Sequence, residues 1–587
     1  MCRIFGHIRG PVSPHILRRV AAVQRHGGPD GQYLHTAGDW SLGSDRLAVI
    51  DVDGGRQPYR SGGVSAVFNG EIYNHRELRD RLRARGHHFD DRCDGGVIPA
   101  LYLEYGRDFT RHLDGMYAIA VVDERSGPQL SLHTDESGMK PLYYHWCPRT
   151  GRFFFSSELP ALFAFGEIPV EREATGLDTY LTSKTPFGES TMFAGVRVMP
   201  PAATLLVGPH GAPELRTRSD TAVSSPGGSS RDLRRLLRQE VHRLCEADVP
   251  VAAITSGGLD SSLVTALAAE RAEELHTFNV AYTGDWPDDE SAYAAEVADR
   301  HATRHHQVRV DPGDFPYLLR EAVWHTGQPN ADPITLSTFA LFRAVRDAGF
   351  KVALTGDAAD ELFTGYDRLV AGAEAPAAPG WAQRYVDTLA AVPPALREEL
   401  YSPDYRQLLN QRGRERERLV DAVLAVGGGD RLTGFELRHR LPAYHLRRVD
   451  HLSMASSVEV RLPFCQRSVV EFARGLPLSS RVHAGRGKKI LLDAAEGLLP
   501  RSVLDRRKQP FTLPITAMLH RGSPILCLAA DVLTDPLVKR SGELDCDAVA
   551  RLLDRQVERP DDESALAVWA LLVYFLWMQE FDPAGAR

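Results

Sequence analysis

Cys2 is the first residue whose type and position could do chemistry, because it directly follows the initiator methionine. A small second residue is compatible with removal of Met1, which would leave Cys2 with a free α-amine. Such a residue carries a nucleophile and a base together. The amine, with a pKa near neutrality, can take the thiol proton directly or through a water, and the thiolate is the attacking species. A cysteine at this position establishes nothing alone, so the hypothesis depends on its companions.

Four polar stretches follow Cys2: 25–31 (RHGGPDG), 46–47 (RL), 69–74 (NGEIYN) and 93–94 (CD). Each alone would more often be a turn, since Asn-Gly and Gly-Pro-Asp are ordinary turn sequences. All of them, in this order behind Cys2, resemble the glutaminase domain of class II glutamine amidotransferases, which are N-terminal-nucleophile hydrolases. The resemblance implies an αββα sandwich for this part of the chain.

The resemblance also implies a role for each polar residue. The thiolate would attack the side-chain amide of glutamine, and the Asn69 side chain and the Gly70 backbone N–H would donate hydrogen bonds to the oxyanion that forms. Arg46 would bind the α-carboxylate of glutamine, which needs a planar, bidentate partner. Asp94 and Glu71 would bind the α-ammonium.

A second candidate site lies between an apolar run and a predicted helix, and it consists of Ser256, Gly257, Gly258, Leu259, Asp260, Ser261 and Ser262. Glycines let the backbone approach a phosphate closely, and a helix N-terminus supplies unpaired N–H groups and the positive end of the helix dipole. The run lacks the lysine of a Walker A loop and the spacing of GxGxxG. It resembles the PP-motif of enzymes that split ATP into AMP and pyrophosphate.

Carboxylates near this loop predict a metal site. Asp260 is the natural first Mg²⁺ ligand, since a hard cation prefers carboxylate and phosphate oxygens. A later acidic cluster, 355–366 (TGDAADELFTGY), resembles a stretch of the asparagine synthetases. By that resemblance Asp360 is the second ligand of the pyrophosphate-bound Mg²⁺. Asp357 takes the place of a family glutamate that assists attack on the adenylate, and its side chain is one methylene shorter.

The same family resemblance extends through most of the chain. Blocks 450–455, 459–464 and 506–511 are recognisable. Lys508 matches a mobile-loop lysine that stabilises charge on the adenylate and pyrophosphate, and Lys489 matches a second, phosphate-side lysine. Without the surrounding blocks, either would be an ordinary surface lysine. The backbone around Ile254 and Val280, together with Thr355 and Gly356, matches the positions that hold adenosine in the family.

The elements that must position these residues fall into two parts. The first two hundred or so residues alternate short β-rich runs, 64–68, 117–122 and 152–156, with a helix at 75–85, which indicates an α+β domain over 2–207. Residues 208–230 are rich in Gly, Pro, Ser and Thr and predict a linker. A helix near 231–246 then opens a domain, 231–587, in which strand, Gly-rich turn and helix repeat. That alternation predicts a doubly wound parallel sheet, and from about residue 381 the chain is mostly helical.

Composition excludes several classes of protein. A chain of 587 residues needs more than one core, and a formal net charge of −8 argues against a nucleic-acid binder. Seven scattered cysteines without a CxxC pair favour a reducing cytoplasm. We see no signal peptide, and the apolar run 565–578 is short for a membrane span, so a buried C-terminal helix is the expectation and no membrane partner is predicted.

These observations predict a glutamine-dependent amidotransferase of the asparagine synthetase type. Ammonia freed from glutamine would pass through a channel to a carboxylate adenylated with ATP and Mg²⁺, which gives AMP and pyrophosphate. Aspartate is the default acceptor by resemblance, and a homodimer is compatible with the sequence.

Three alternatives stay open. A tailoring enzyme could amidate a specialised metabolite's carboxylate, as the departure at Asp357 suggests. An intramolecular cyclase of the β-lactam synthetase or lasso-peptide type would not need an intact Cys2, Arg46, Asn69 and Asp94. A non-catalytic regulatory module would have to explain both intact sites.

Overall fold

The computed structural model describes residues 1–218, 227–287, 289–374, 379–427, 430–506 and 513–581. Two antiparallel sheets form the first part of the chain. Their strands are β1 (Cys2–Ile8), β2 (Gly31–Ala37), β3 (Trp40–Arg46), β4 (Tyr59–Ser61), β5 (Val64–Ile72), β6 (Gly115–Asp123), β7 (Gln129–Thr134), β8 (Tyr143–Trp146), β9 (Phe153–Ser156), β10 (Val196–Val198), β11 (Ala203–Val207) and β12 (Glu214–Thr217). The first sheet has the order β10-β8-β9-β1-β3-β2 and the second β12-β11-β7-β6-β5-β4.

The two sheets pack face to face because their strands alternate side chains between two apolar layers. On β1, Ile4 and Ile8 lie in the core between the sheets, whereas Phe5 faces outward into a second core. The outer faces are covered by short helices: α1 (Pro14–Gln24), α2 (His75–Arg83), α3 (Ile98–Tyr105) and α4 (Leu159–Phe163). Helices α1 and α4 cover the first sheet, and α2 and α3 cover the second. The predicted αββα sandwich is confirmed. Helix α5 (Gly176–Ser183) follows it.

The predicted linker needs a correction. Residues 214–217 form β12, which pairs with β11 in the register Leu205↔Leu215 and so extends the first unit beyond residue 207. The helix that opens the second unit is α6 (Ser230–Leu244), and the side chains of Ser229 and Asp232 cap its N-terminus reciprocally. Residues 219–226, inside the predicted linker, lie outside the described ranges.

The second unit is built on a five-stranded parallel sheet. Its strands are β13 (Val251–Ile254), β14 (His276–Tyr282), β15 (Arg304–Val310), β16 (Val352–Leu354) and β17 (Glu459–Arg461). The order β15-β14-β13-β16-β17 reverses direction between β13 and β16, so the sheet is doubly wound as predicted. Ligands of such sheets bind in the crevice at this switch point, beyond the carboxyl ends of the strands.

Helices surround this sheet and continue beyond it. They are α7 (Leu259–Ala269), α8 (Ser291–Arg300), α9 (Phe315–Thr326), α10 (Ile334–Asp347), α11 (Ala359–Leu362), α12 (Asp367–Glu374), α13 (Trp381–Asp387), α14 (Pro394–Leu400), α15 (Pro403–Arg412), α16 (Glu415–Ala425), α17 (Arg431–Phe435), α18 (Arg447–Ala455), α19 (Arg467–Arg474), α20 (Leu478–Arg481), α21 (Lys489–Ala495), α22 (Arg501–Asp505), α23 (Ile515–Met518), α24 (Pro524–Leu533), α25 (Pro536–Ser541), α26 (Cys546–Glu558) and α27 (Asp562–Phe581). A π-helical segment, Glu436–Leu446, precedes α18.

Helix α27 is the only helix of the described residues that is long and apolar enough to cross a membrane by length and composition. Most of it is buried inside the protein, and Trp569 and Trp577 are almost fully enclosed. It therefore serves as a core helix, against which α24 and α26 pack.

A buried ion-pair network joins the two units. Arg3 of β1 contacts Asp450 of α18 at 2.6 Å and Glu158 at 2.7 Å. Lys140 contacts the other oxygen of Asp450 at 2.9 Å. These side chains are at most 3% exposed, so the contact between the units is a desolvated one.

Candidate active sites

The thiol of Cys2 lies at the start of β1, beside the end of β3, because the strand register pairs Cys2 with Arg46. Its backbone N–H donates to Asn69 Oδ1 at 3.2 Å, and Gln57 Nε2 donates to Sγ at 3.2 Å. Burial raises the pKa of the Cys2 thiol, although the terminal ammonium and Arg46 act in the opposite direction. A thiol in this environment needs a nearby base before it can attack.

An unused hydrogen-bond donor lies next to this thiol. Asn69, on β5, is fully buried, and its Nδ2 has no partner among the residues that the structure describes. Buried amides are normally paired, so this donor is available to a ligand oxygen. Gly70 follows with φ +152°, and a Cβ here would lie 2.0 Å from the Met116 carbonyl oxygen. Only glycine therefore lets β5 approach β6 this closely.

The predicted glutamine-binding side chains converge on the same end of the first unit. Arg46 donates to the carbonyl oxygens of Ile50 and Asp51, at 3.0 and 2.8 Å. Asp94 Oδ2 accepts from the Ile72 N–H at 2.8 Å, which orients its carboxylate. Glu71 lies 3.6 Å from Arg461 of the second unit. Burial, followed by the charge of Asp94, raises the pKa of Glu71 well above its usual range.

The terminal ammonium of Met1 lies among these carboxylates. It contacts Glu459 Oε2 at 3.3 Å and donates to the Leu47 carbonyl at 3.0 Å. Burial alone would lower the pKa of this amine, but Glu459, together with the neighbouring Glu71 and Asp94, raises it. The pocket is thus built to hold an ammonium group, the group by which an α-amino acid would be recognised.

Strand β17 contacts both sites. Its Glu459 pairs with the Met1 ammonium, and its Arg461 contacts Glu71. The backbone carbonyl of Arg461 accepts from the Thr355 N–H at 3.2 Å, so the same residue supports the first part of the acidic cluster.

The loop between β13 and α7 has the geometry of an anion cradle. Ser261 Oγ accepts from the Ser256 N–H at 3.1 Å, and Ser256 Oγ accepts from the Gly258 N–H at 3.2 Å. Gly257 has φ +81°, and a Cβ there would lie 2.7 Å from Tyr293 Cβ. A Cβ on Gly356 would lie 2.6 Å from the Ser261 nitrogen, so the acidic cluster packs directly against this loop.

The two predicted metal ligands share one cation. Lys488 Nζ contacts Asp260 Oδ2 and Asp360 Oδ1, each at 2.6 Å. The pair supplies hard oxygen donors at the switch point, and it already holds one cation between its carboxylates, so these residues fit a divalent ion bound to phosphate. The prediction for Lys489 was wrong by one position, since Lys489 contacts Asp493 on the exposed side of α21.

Most of the other residues predicted to bind the nucleotide line one cavity. A cavity of 1810 Å³ at the switch point is lined by Ile254, Ser256, Gly258, Asp260, Ser261, Thr355, Gly356, Asp357 and Asp360. Ser262 is buried behind the loop, where its N–H donates to the Gly258 carbonyl. The prediction for Val280 concerns its backbone, and its side chain packs in the apolar core. Lys508 lies outside the described residues.

The far part of this cavity contains residues to which the sequence analysis assigned no role, although Glu361 and Tyr366 lie within the cluster 355–366. They are Lys184, Asp332, Glu361, Tyr366, Arg368, Arg440, Tyr444, His445 and Arg448. Three of them, Arg440, Tyr444 and His445, lie on the π-helical segment, and such segments are frequent at functional sites. Lys488, which contacts both predicted metal ligands, was also not predicted. It lies within the run 487–490, in which the adjacent Lys489 was predicted instead.

The chain matches two family models. Residues 1–217 match a glutamine amidotransferase domain, and residues 232–580 match asparagine synthase. Asparagine synthetase [glutamine-hydrolyzing] 3 of Bacillus subtilis is 30% identical over 82% of this chain and 82% of its own. Asparagine synthetase [glutamine-hydrolyzing] 1 of the same organism is 26% identical over 96% and 93%.

A solved structure also aligns with part of the chain. It is the glutamine phosphoribosylpyrophosphate amidotransferase of Bacillus subtilis, which is 14% identical, covers 52% of this chain and 66% of that chain, and gives a TM-score of 0.29. That score is too low to support an argument. The family models and the relatives, which span both units, show that the chain belongs to the glutamine-hydrolysing asparagine synthetase family and is a ligase of that type.

Proposed function

We propose that the protein transfers the amide nitrogen of glutamine to a carboxylate that it first adenylates with ATP, and that aspartate is the default acceptor. The observation that carries this proposal is the presence of both sites in one chain. The thiol of Cys2 lies beside an unpaired amide donor, and a shared carboxylate pair lies at the switch point. An enzyme that lacked either half-reaction would not need both.

In the first half-reaction, removal of Met1 frees the α-amine of Cys2, and this amine takes the thiol proton. The thiolate attacks the amide carbon of glutamine, and Asn69 Nδ2 and the Gly70 N–H donate to the oxyanion. The α-ammonium of Cys2 returns the proton to the leaving nitrogen, so ammonia departs as the carbonyl reforms, and water then hydrolyses the thioester to glutamate. Arg46 binds the α-carboxylate of glutamine. Asp94 and Glu71 bind its α-ammonium, which takes the place that the Met1 ammonium leaves.

Ammonia must reach the second site without gaining a proton. One apolar cluster includes Met1 and Met116 beside the thiol site, and also Ala358 and Val449 at the switch-point cavity. Apolar surroundings disfavour the charged ammonium form, so they keep ammonia nucleophilic. This cluster supports a passage between the sites.

In the second half-reaction, a carboxylate oxygen of the acceptor attacks the α-phosphorus of ATP and pyrophosphate leaves. Backbone N–H groups of the Ser256–Ser261 loop would bind phosphate oxygens. Asp260 and Asp360 would hold Mg²⁺, which neutralises the charge of the leaving pyrophosphate. Asp357 would orient the arriving ammonia and accept its proton as the tetrahedral intermediate forms. AMP leaves with the amide product.

An acceptor other than aspartate is the second candidate. Asp357, with its shorter side chain, favours a tailoring reaction on a larger carboxylate. An intramolecular cyclase has less support, since it has no use for the ammonium pocket around Glu71 and Asp94. We place the enzyme in the cytoplasm because its cysteines are free throughout the described residues.

Replacement of the nucleophile tests the proposal. Cys2→Ala should abolish glutamine hydrolysis, whereas ammonium salts should still support amide formation with AMP and pyrophosphate released in step. The assay follows glutamate, amide and nucleotide products with a panel of carboxylic acids. Glutamine-dependent turnover in the variant, or release of ADP and phosphate, would contradict the proposal.

A further inference from the structure

Lys184 is a residue of the first unit that reaches into the cavity of the second. It follows α5 and adopts a left-handed backbone conformation with φ +68°. Its N–H donates to the Tyr180 carbonyl at 2.7 Å, and its own carbonyl accepts from the Ala331 N–H at 2.9 Å. A residue with a Cβ pays about 1–2 kcal/mol for this conformation, which glycine would avoid. This left-handed C-cap ends α5 and leaves Lys184 at the wall of the cavity.

The ammonium of Lys184 has no ion-pair partner within the described parts of the chain. The carboxylate of Asp332 faces it and acts to raise its pKa, but the same carboxylate is in close contact with Arg448. Burial lowers the pKa of Lys184 to about 8, and Arg440 and Arg368 contribute to the decrease. A cation that shares its facing carboxylate with an arginine is incompletely neutralised, so an anion bound beside it would be favoured.

Around Lys184, the cationic side chains outnumber the ionised carboxylates that could neutralise them. Arg368 and Arg440 share the buried Glu436, at 2.9 and 3.5 Å. Arg440 also lies over the Tyr444 ring, with its guanidinium carbon 4.2 Å from the centroid. Glu361 has its pKa raised to about 7 by burial, followed by Asp360 and Glu436, so it is only partly ionised near neutrality. The cavity end formed by these residues is therefore positive.

This positive end adjoins the reacting part of the site. The charge of Asp357 is among the causes that raise the pKa of Arg448, and Arg448 contacts Asp332 next to Lys184. The cluster thus extends from Lys184 to Asp357. A substrate whose carboxyl group lies near Asp357 would direct its remaining atoms toward Lys184.

We propose that Lys184 determines acceptor specificity by binding a second carboxylate of the acceptor, distinct from the carboxyl group that becomes the amide. This inference rests on the proposed function, and it assigns part of the acceptor site to the glutaminase unit. Aspartate meets the requirement, and so does a larger dicarboxylic acid. A monocarboxylic acid leaves Lys184 unpaired and binds more weakly.

The test compares acceptors that differ by one carboxylate, such as L-aspartate and β-alanine, in acceptor-dependent pyrophosphate–ATP exchange and in amide formation. Lys184→Gln keeps a polar side chain, one atom shorter, but removes its charge. It should raise the KM for the dicarboxylate about 10- to 100-fold, the range of a lost hydrogen bond to a charged group. The kcat, the KM for glutamine and the KM for the monocarboxylate should change little.

A pH profile separates this role from a structural one. The KM of the wild type for the dicarboxylate should rise as the pH passes 8, because Lys184 loses its proton. Lys184→Arg keeps its charge, so it should bind the dicarboxylate without this rise. Other groups that face Lys184 are Asp332, Tyr444 and the three arginines at 368, 440 and 448, and they are unchanged in the variant. Lys539→Gln, on an exposed surface of α25, is the matched control and should behave as the wild type.

The two hypotheses fail in different ways. A wild type that forms no amide with any carboxylic acid contradicts the proposed function. A wild type that forms amide, with Lys184→Gln equally active on both acceptors or equally impaired on both, contradicts only the role of Lys184. If Lys184→Gln does not fold, an unchanged pH profile in Lys184→Arg overturns the inference.

Discussion

Asp357 lies between the nucleotide loop and the positive end of the cavity. Thr355 Oγ1 donates to its Oδ2 at 2.6 Å, which orients the carboxylate toward the cavity that it lines. Lys488 contacts the carboxylates of Asp260 and Asp360, and not that of Asp357. Its position therefore suits a role in the second step, attack by ammonia, more than metal binding.

Asp357→Asn should slow amide formation by about 10²–10⁴-fold, the usual contribution of general acid–base catalysis. Pyrophosphate–ATP exchange should change much less, because Asp260 and Asp360 are intact. Asp357→Glu restores the family residue and tests reach instead of charge, so it should lower activity with a native acceptor larger than aspartate more than with aspartate. Equal losses of exchange and amide formation in Asp357→Asn would show that the residue belongs to a polar turn.

The residues of the two sites were predictable to different extents. Cys2, Asn69 and Asp260 are parts of contiguous motifs, and the fold brings together what the motifs predict. Lys489 was predicted in place of Lys488 because the two are adjacent in one short run. Lys488 is the N-cap residue of α21 and Lys489 is its first residue, so their side chains contact different partners. Lys184 could not be predicted, since it reaches the cavity from the other unit through a backbone conformation that no local pattern indicates.

At the scale of elements, the phosphate loop depends on a glycine. Gly257→Ala should abolish pyrophosphate–ATP exchange or reduce it severely, because the new Cβ would lie 2.7 Å from Tyr293 Cβ and 2.8 Å from the Ala294 nitrogen of α8. The loop must move away from α8, and the N–H groups then lose their alignment. Isotopic exchange measures this directly.

The control for this prediction is Gly211→Ala. Gly211 has φ +82°, nearly the same as Gly257, but a Cβ there would meet no atom within 4 Å. Both variants carry the backbone cost of about 1–2 kcal/mol, and only Gly257→Ala carries the steric one. Full loss of exchange in both would indicate general destabilisation.

The elements themselves were predicted where the pattern is long. The strand, turn and helix around residues 251–269 followed from apolar runs and glycines, and the doubly wound sheet followed from their repetition. Strands β12 (ELRT) and β17 (EVR) were not predicted because each has a single apolar residue, whereas the equally short β13 (VAAI) is an apolar run. A strand this short shows no periodicity, and its existence depends on a neighbour that supplies the hydrogen bonds.

At the scale of the whole molecule, the ion-pair network around Asp450 holds the units together. Asp450→Asn would leave Lys140 and Arg3 buried without this counter-charge, and breaking such a pair typically costs about 3–5 kcal/mol. Denaturant unfolding should show a loss of this size. Asp387→Asn is the control, because its 2.6 Å pair with Arg416 is about one third exposed and should contribute about 1 kcal/mol or less.

The same network predicts acid lability. Burial alone would raise the pKa of Asp450, but Lys140 and Arg3 lower it to about 2, below the value of 3.8 for an unperturbed side chain. A group with a depressed pKa contributes stability above its unfolded pKa, and that stability is lost as the pH falls through its folded pKa. The free energy of unfolding should therefore decrease between about pH 4 and 2, and less steeply in Asp450→Asn. An identical pH dependence in the two proteins would rule out this role.

Strand β17 has a thermodynamic consequence for the whole molecule. One short strand supports Thr355 through its backbone and contacts Met1 and Glu71 through its side chains. If filling the nucleotide site shifts this strand, the affinity for glutamine changes, and linkage then requires glutamine to change the affinity for nucleotide by the same factor. The enzyme would thus have one coupling free energy, which can be measured from either ligand.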